Sequence, residues 1–235
     1  MVCPGFLRQN ALKNSTIKSY KGNLPGKYAV NDSFLIKAVV TQKTLFLDPT
    51  LRLGGFYELA IQICPSVERT PVELYQDYFW QLDLIDGPFD ANCDRTAIDY
   101  EHYSQQGLLT LESYTIPFKL FNIREQEPIE SGFSWLTVSF YTTAIEHVFG
   151  STYGNWLDDV NAPPVLHQFL VDLLTRLFRL YPFQLALVGF EVSGECYLDD
   201  LKTGSVHHPQ SEIYISRSHV AEINVAYRDS INLAD

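Results

Sequence analysis

Pro163-Pro164-Val165-Leu166-His167-Gln168-Phe169-Leu170-Val171-Asp172-Leu173-Leu174-Thr175-Arg176-Leu177-Phe178-Arg179-Leu180-Tyr181, followed across Pro182 by Phe183-Gln184-Leu185-Ala186-Leu187-Val188-Gly189-Phe190-Glu191-Val192, decides the fold of this chain. Positions 166, 169, 170, 173, 174, 177, 178 and 181 are apolar and follow the three-and-four spacing of one helical face. Gln168, Asp172, Thr175, Arg176 and Arg179 occupy the opposite side. The pattern predicts a helix over 163–181, stopped by Pro182. Residues 183–192 are apolar on both faces, the mark of an internal strand. Burying the eight apolar helix side chains is worth on the order of 12–24 kcal/mol gross, an upper value because an unfolded chain already hides part of that area.

Working outward, Phe34 to Leu47 is β-branched and apolar and predicts a strand. Tyr57, Leu59, Ile61 and Ile63 alternate with Glu58, Ala60 and Gln62, which predicts a half-buried strand. Thr70-Pro71-Val72-Glu73 matches a capping box with proline at the first helical position, and predicts a shorter helix over about 71–82. Residues 86–106 read as an acidic loop, and Gly107 to Ile123 as one long strand bent at Pro117. Phe133 to Tyr141 is a further strand. Thr143-Ala144-Ile145-Glu146 fits either a second capping box ended by Gly150 or an extension of that strand. Ile213 and Ile215, then Ala221, Ile223, Val225 and Tyr227, alternate with polar neighbours, a short helix being the other reading of 221–227. Six or more strands with two or three helices, in no regular alternation, indicate an α+β fold with a largely antiparallel sheet and the long helix on one face. Residues 1–32 read as an irregular N-terminal arm and 33–235 as a single domain, because no linker-like composition divides the remainder.

The chain has 17 basic and 28 acidic side chains, a net charge of −11, and no run of Lys or Arg. That balance argues against nucleic acid and against anionic membrane surfaces as partners. No stretch approaches the ~18 apolar residues of a membrane span. Cysteines at 3, 64, 93 and 196 have neither metal-ligand nor redox spacing, and no apolar signal region is present. A reducing cytoplasm with free thiols is the expectation. No phosphate loop, dinucleotide fingerprint or His-Glu-x-x-His motif occurs, and no cofactor is expected. Gly150-Ser151-Thr152-Tyr153-Gly154 has the outline of a nucleophile elbow but lacks the helix that must follow directly.

Two sets of residues carry functional expectations. Glu191, Glu195, Asp199, Asp200, His207 and His208 follow the buried strand and combine hard oxygen ligands with imidazole, the donor set of a Mg, Mn or Zn site in a metal-assisted hydrolase. Tyr75, Tyr78, Phe79 and Trp80 crowd the shorter helix with more rings than one buried stripe holds, which points to a protein interface. The leading expectation is a non-catalytic binding or assembly module for a protein partner or a second copy. The hydrolase is the alternative. His167, near the start of the long helix, reads as boundary packing, and Cys64 and Cys196 as small core residues.

Overall fold

A computed structural model describes residues 42–125, 132–153, 162–205 and 211–235. The arm expected over 1–32 lies outside them. The fold is α+β, as the sequence predicts. Its strands are β1 (Phe56–Pro65), β2 (Ile85–Phe89), β3 (Ser104–Leu111), β4 (Tyr114–Arg124), β5 (Phe133–Tyr141), β6 (Leu185–Phe190), β7 (Glu212–Ile215) and β8 (Ile231–Leu233). They form one eight-stranded sheet in the order β2-β3-β4-β5-β1-β6-β7-β8. Every pairing is antiparallel except β7 with β8. The helices are α1 (residues 42–47), α2 (Thr70–Trp80), α3 (Thr142–Phe149), α4 (Pro164–Leu180) and α5 (Leu198–Thr203).

α4 is the helix expected from 163–181. Pro164 occupies its first turn, and Tyr181, ahead of Pro182, leaves the helical region for extended backbone. Leu166, Phe169, Leu170, Leu173, Leu174, Leu177 and Phe178 are buried. They pack with α2 over the β1 side chains Leu59, Ile61 and Ile63 and over Phe118, Leu136 and Phe140. The Tyr75 hydroxyl donates to the Tyr181 carbonyl at 2.5 Å, closing one of the acceptors left open at the helix end. Tyr75→Phe is expected to cost about 1–3 kcal/mol, because that carbonyl loses its buried donor. Urea unfolding followed by circular dichroism measures it.

Among the described residues, the second sheet face is covered over one half only. There α5 and the two 3-10 segments Arg217–Glu222 and Val225–Ser230 bury Ala60, Trp135, Leu185, Leu187, Ile213 and Ile215. β1 is therefore central and buried on both sides, not half-buried as its alternation predicts, and Glu58 and Gln62 are buried polar residues.

Other local expectations are corrected. Residues 42–47 are helical, whereas 34–41 lie outside the described residues. α2 begins at Thr70 with Arg69 in front of it and no side-chain cap, so the Thr70–Glu73 box does not form. Residues 86–89 belong to β2, and only the stretch from 90 to 103 lies between strands. The strand read over 107–123 is a hairpin of β3 and β4, with Glu112 at positive φ in its two-residue turn. Pro117 lies outside the stretch of β4 that pairs with β5, so its missing N–H breaks no bond there. Of the two readings of 143–146, the helix is correct. Its Thr143 hydroxyl bridges the Leu53 carbonyl and amide instead of capping α3. The segment 217–230 winds into 3-10 turns started by the Ser216 and Asn224 side chains, which accept from the amides two residues on.

Candidate functional site

The open half of the sheet is the most distinctive surface. Register places Phe56 opposite Tyr141, Glu58 opposite Ser139, Lys119 opposite Ser139 and Phe121 opposite Thr137, so all of these side chains share the face away from α2 and α4. No described element covers Phe56, Tyr141, Lys119 and Phe121, and each is half-buried. The Phe56 ring meets Phe121 edge-on at 5.7 Å and lies 4.6 Å from Tyr141. Tyr103, 60% exposed, extends the cluster against Phe121 at 5.5 Å. The Lys119 ammonium stands 5.6 Å from the ring centres of both Phe121 and Tyr141. These distances suit ring–ring and cation–π contact. Among the described residues no further layer lies over the outer faces of the rings.

Polar groups border the cluster where the open half meets the covered half. Glu58, 3% exposed, accepts from the Ser139 hydroxyl at 2.7 Å and from the Ser193 amide at 2.9 Å. Burial raises its carboxyl above the ordinary value, although both hydrogen bonds and a further one from Ser193 pull the other way. A hollow of about 150 Å³ beside it is lined by Ile123, Glu125, Trp135, Thr137, Ser193 and Gly194. Glu125 accepts from the Phe133 amide, the Trp135 indole and the Tyr197 hydroxyl, at 2.8, 3.2 and 2.7 Å. That bond to Glu125, with burial behind it, pushes the Tyr197 phenol up to about 12. The carboxylate holds these three donors and fastens the α5 layer to β5.

On the opposite face the Tyr57 hydroxyl and His167 Nδ1 are 2.8 Å apart. His167 Nε2 lies 3.5 Å from Glu212, whose other oxygen accepts from the Tyr214 hydroxyl at 2.6 Å. This chain joins β1, α4 and β7, which fits the boundary role expected of His167. Tyr57 is 2% exposed and burial raises its phenol far above the ordinary value, so it is a poor nucleophile.

Among the described residues the expected metal ligands are not brought together. Glu191 stands at positive φ and accepts from the Phe56 amide at 2.7 Å, fixing the end of β6 to β1. Asp200 accepts from the Tyr197 amide at 2.9 Å as a helix cap, and Asp199 pairs with Lys202 at 3.3 Å. Glu195 is exposed. His207 and His208 lie outside the described residues. Among the described residues no group of three or more His, Cys, Asp and Glu side chains is placed to hold a metal. The carboxylates that look clustered in sequence serve separate caps and pairs.

The expected interface on α2 is corrected as well. Tyr75 and Phe79 are fully buried, Trp80 is 8% exposed and only Tyr78 is half-buried. α2 packs on the sheet and against the neighbouring α4, so two sides of it take rings. Phe79 meets Phe118 edge-on at 5.3 Å, and Trp80 lies tilted over it at 5.6 Å. The surface rings sit instead at outward positions of strands, where the signal is a period of two. Cys64 and Cys196 are buried, and desolvation raises their thiols to about 11 and about 12. Burial and the neighbouring Asp86, Asp94 and Asp90 also raise Cys93, which makes a sluggish nucleophile of the half-exposed thiol. Among the described residues no helix is long and apolar enough to cross a membrane. The chain matches no family model, no curated protein and no solved structure.

Proposed function

We propose that the protein is a non-catalytic binding or assembly module that engages a protein partner, a second copy of itself included, through the open half of its sheet. The observation that carries this reading is the half-buried ring cluster of Phe56, Tyr103, Phe121 and Tyr141 around Lys119. Rigid aromatic anchors are the usual energetic centre of a protein interface. The free thiols Cys64, Cys93 and Cys196 support a reducing, cytoplasmic setting.

Self-association is tested first. Sedimentation velocity over a concentration series is expected to show reversible dimers. Phe121→Glu combined with Tyr103→Ala is expected to weaken them about 30-fold or more, the loss of a ~2 kcal/mol anchor. The melting temperature should stay near that of the parent, since both side chains reach solvent. A clean monomer at high concentration removes the dimer. Identical sedimentation of parent and variant, both dimeric, places the interface elsewhere.

A further inference from the structure

On the helix-bearing side lies a groove of about 660 Å³, formed by α4, the turn after α2 and the β3–β4 hairpin. That volume falls in the range of ligand-binding clefts. Its apolar lining includes Leu84, Leu111 and Phe169, and Leu84 is 44% exposed. Asp83, Glu112 and Asp172 stand around it against one cation, Arg176. Among the described residues none of these four enters an ion pair. The cleft is thus apolar inside and acidic at its lip, which selects a segment that is apolar and basic.

The chain itself contains such a segment. Residues 1–41 carry Arg8, Lys13, Lys18, Lys21, Lys27 and Lys37 against Asp32 alone, a net +5. Because the whole chain is −11, residues 42–235 carry −16. The run Phe34-Leu35-Ile36-Lys37-Ala38-Val39-Val40 places one lysine among six apolar residues. The segment is also tethered close by. It joins α1, whose Phe46 packs edge-on against Phe89 at the far end of β2, 5.3 Å between ring centres. Leu84, at the groove, directly precedes Ile85 at the near end of that strand. A five-residue strand spans about 17 Å, and seven extended residues reach about 23 Å. Extended, the run therefore brings its Phe34 end to the groove, at the millimolar-scale effective concentration of a short tether.

We propose that this groove is the docking site of the chain's own basic N-terminal segment, residues 1–41, with apolar side chains of 34–40 on its floor and lysines at the carboxylate lip. The inference is independent of the aromatic face on the other side of the sheet. The experiment uses the full chain. A photoreactive phenylalanine analogue replaces Leu84, and equal amounts of light and 15N-labelled protein are mixed, irradiated and mapped by mass spectrometry. The expected result is light-to-light and heavy-to-heavy links from position 84 to peptides within 1–41. Reversing the lip with Asp83→Lys and Asp172→Lys, both at exposed positions, is expected to cut that yield about tenfold, the sum of several weak exposed pairs. Mixed light-to-heavy links would identify a second copy as the occupant and overturn the proposal. So would links only to peptides outside 1–41, or a yield unmoved by the charge reversal in a variant with the parent's melting curve.

Discussion

Leu173→Asp is expected to leave no folded protein at 25 °C. Leu173 is 2% exposed on α4 and belongs to the core that α4 shares with α2 and the sheet. Removing the leucine side chain costs about 2–5 kcal/mol by itself. Placing an unpaired carboxylate in the same space adds several kcal/mol more, or forces it to take up a proton. Together these approach the ~5–15 kcal/mol that holds an entire domain folded. Two neighbouring variants make the result specific. Asp172→Ala, one residue earlier but exposed, should shift the melting curve by no more than about 0.5 kcal/mol. Leu173→Met keeps the volume and should cost less than about 1.5 kcal/mol. If Leu173→Asp stays folded with an unchanged thermal melt by circular dichroism, the apolar face of α4 does not hold the fold.

The second large effect depends on pH. Burial is the main influence on Glu58 and raises its folded carboxyl above the ordinary value. The folded state then binds its proton at a pH where the unfolded chain has already released it. The stability linked to this group is full below the unfolded carboxyl pKa and is lost as pH rises through the raised folded value. At neutral pH the ionised side chain is a burden on the fold. Glu58→Gln keeps an acceptor for the Ser193 amide, and its NH2 donates to the Ser139 hydroxyl, with no charge to bury. The glutamine variant is therefore expected to be more stable than the parent at pH 7 and equal to it at pH 4. Glu58→Ala strands both partners and is expected to cost about 1–3 kcal/mol at either pH. Urea titrations at the two pH values separate these outcomes. A parent that gains stability between pH 4 and pH 7 relative to Glu58→Gln would reverse the sign of the argument.

What the sequence makes legible, and what it hides, follows from where each signal is stored. α4 and β6 are readable because seven buried side chains recur at helical spacing and a proline separates them from a continuous apolar run. β5 is readable for the same reason. The β3–β4 hairpin is hidden because its turn, Glu112-Ser113, contains neither glycine nor asparagine, so the strained residue has no marker. Pro117 then attracts the reading of a bend that belongs five residues earlier. The 3-10 turns after β7 arise from Ser216 and Asn224 side chains biting back on the backbone, which an alternating apolar pattern overrides on paper.

The site is harder still, since it depends on strand order. Phe56, Lys119, Phe121 and Tyr141 lie on three strands that only register brings together. Whether their shared face is covered depends on where α5 lands. Conversely, at 191–200 nearness in sequence is no guide to a shared site, since Glu191, Asp200 and Asp199 bond to the Phe56 amide, the Tyr197 amide and Lys202 respectively. The rings of α2 mislead because a helix that packs on the sheet and on a neighbouring helix buries more than one stripe.

The place of β1 in the strand order bears on how the chain assembles. Among the described strands β1 is the first to be synthesised, yet it ends between β5 and β6, with Tyr57 opposite Phe140 on one side and Phe190 on the other. Its most apolar stretch must therefore wait, unpaired along both edges, until most of the chain exists. Closing such distant contacts is slow. In that interval Leu59, Ile61 and Ile63 form a sticky template for other nascent chains. Refolding yield should consequently fall as protein concentration rises, and a holdase chaperone that shields β1 should recover it.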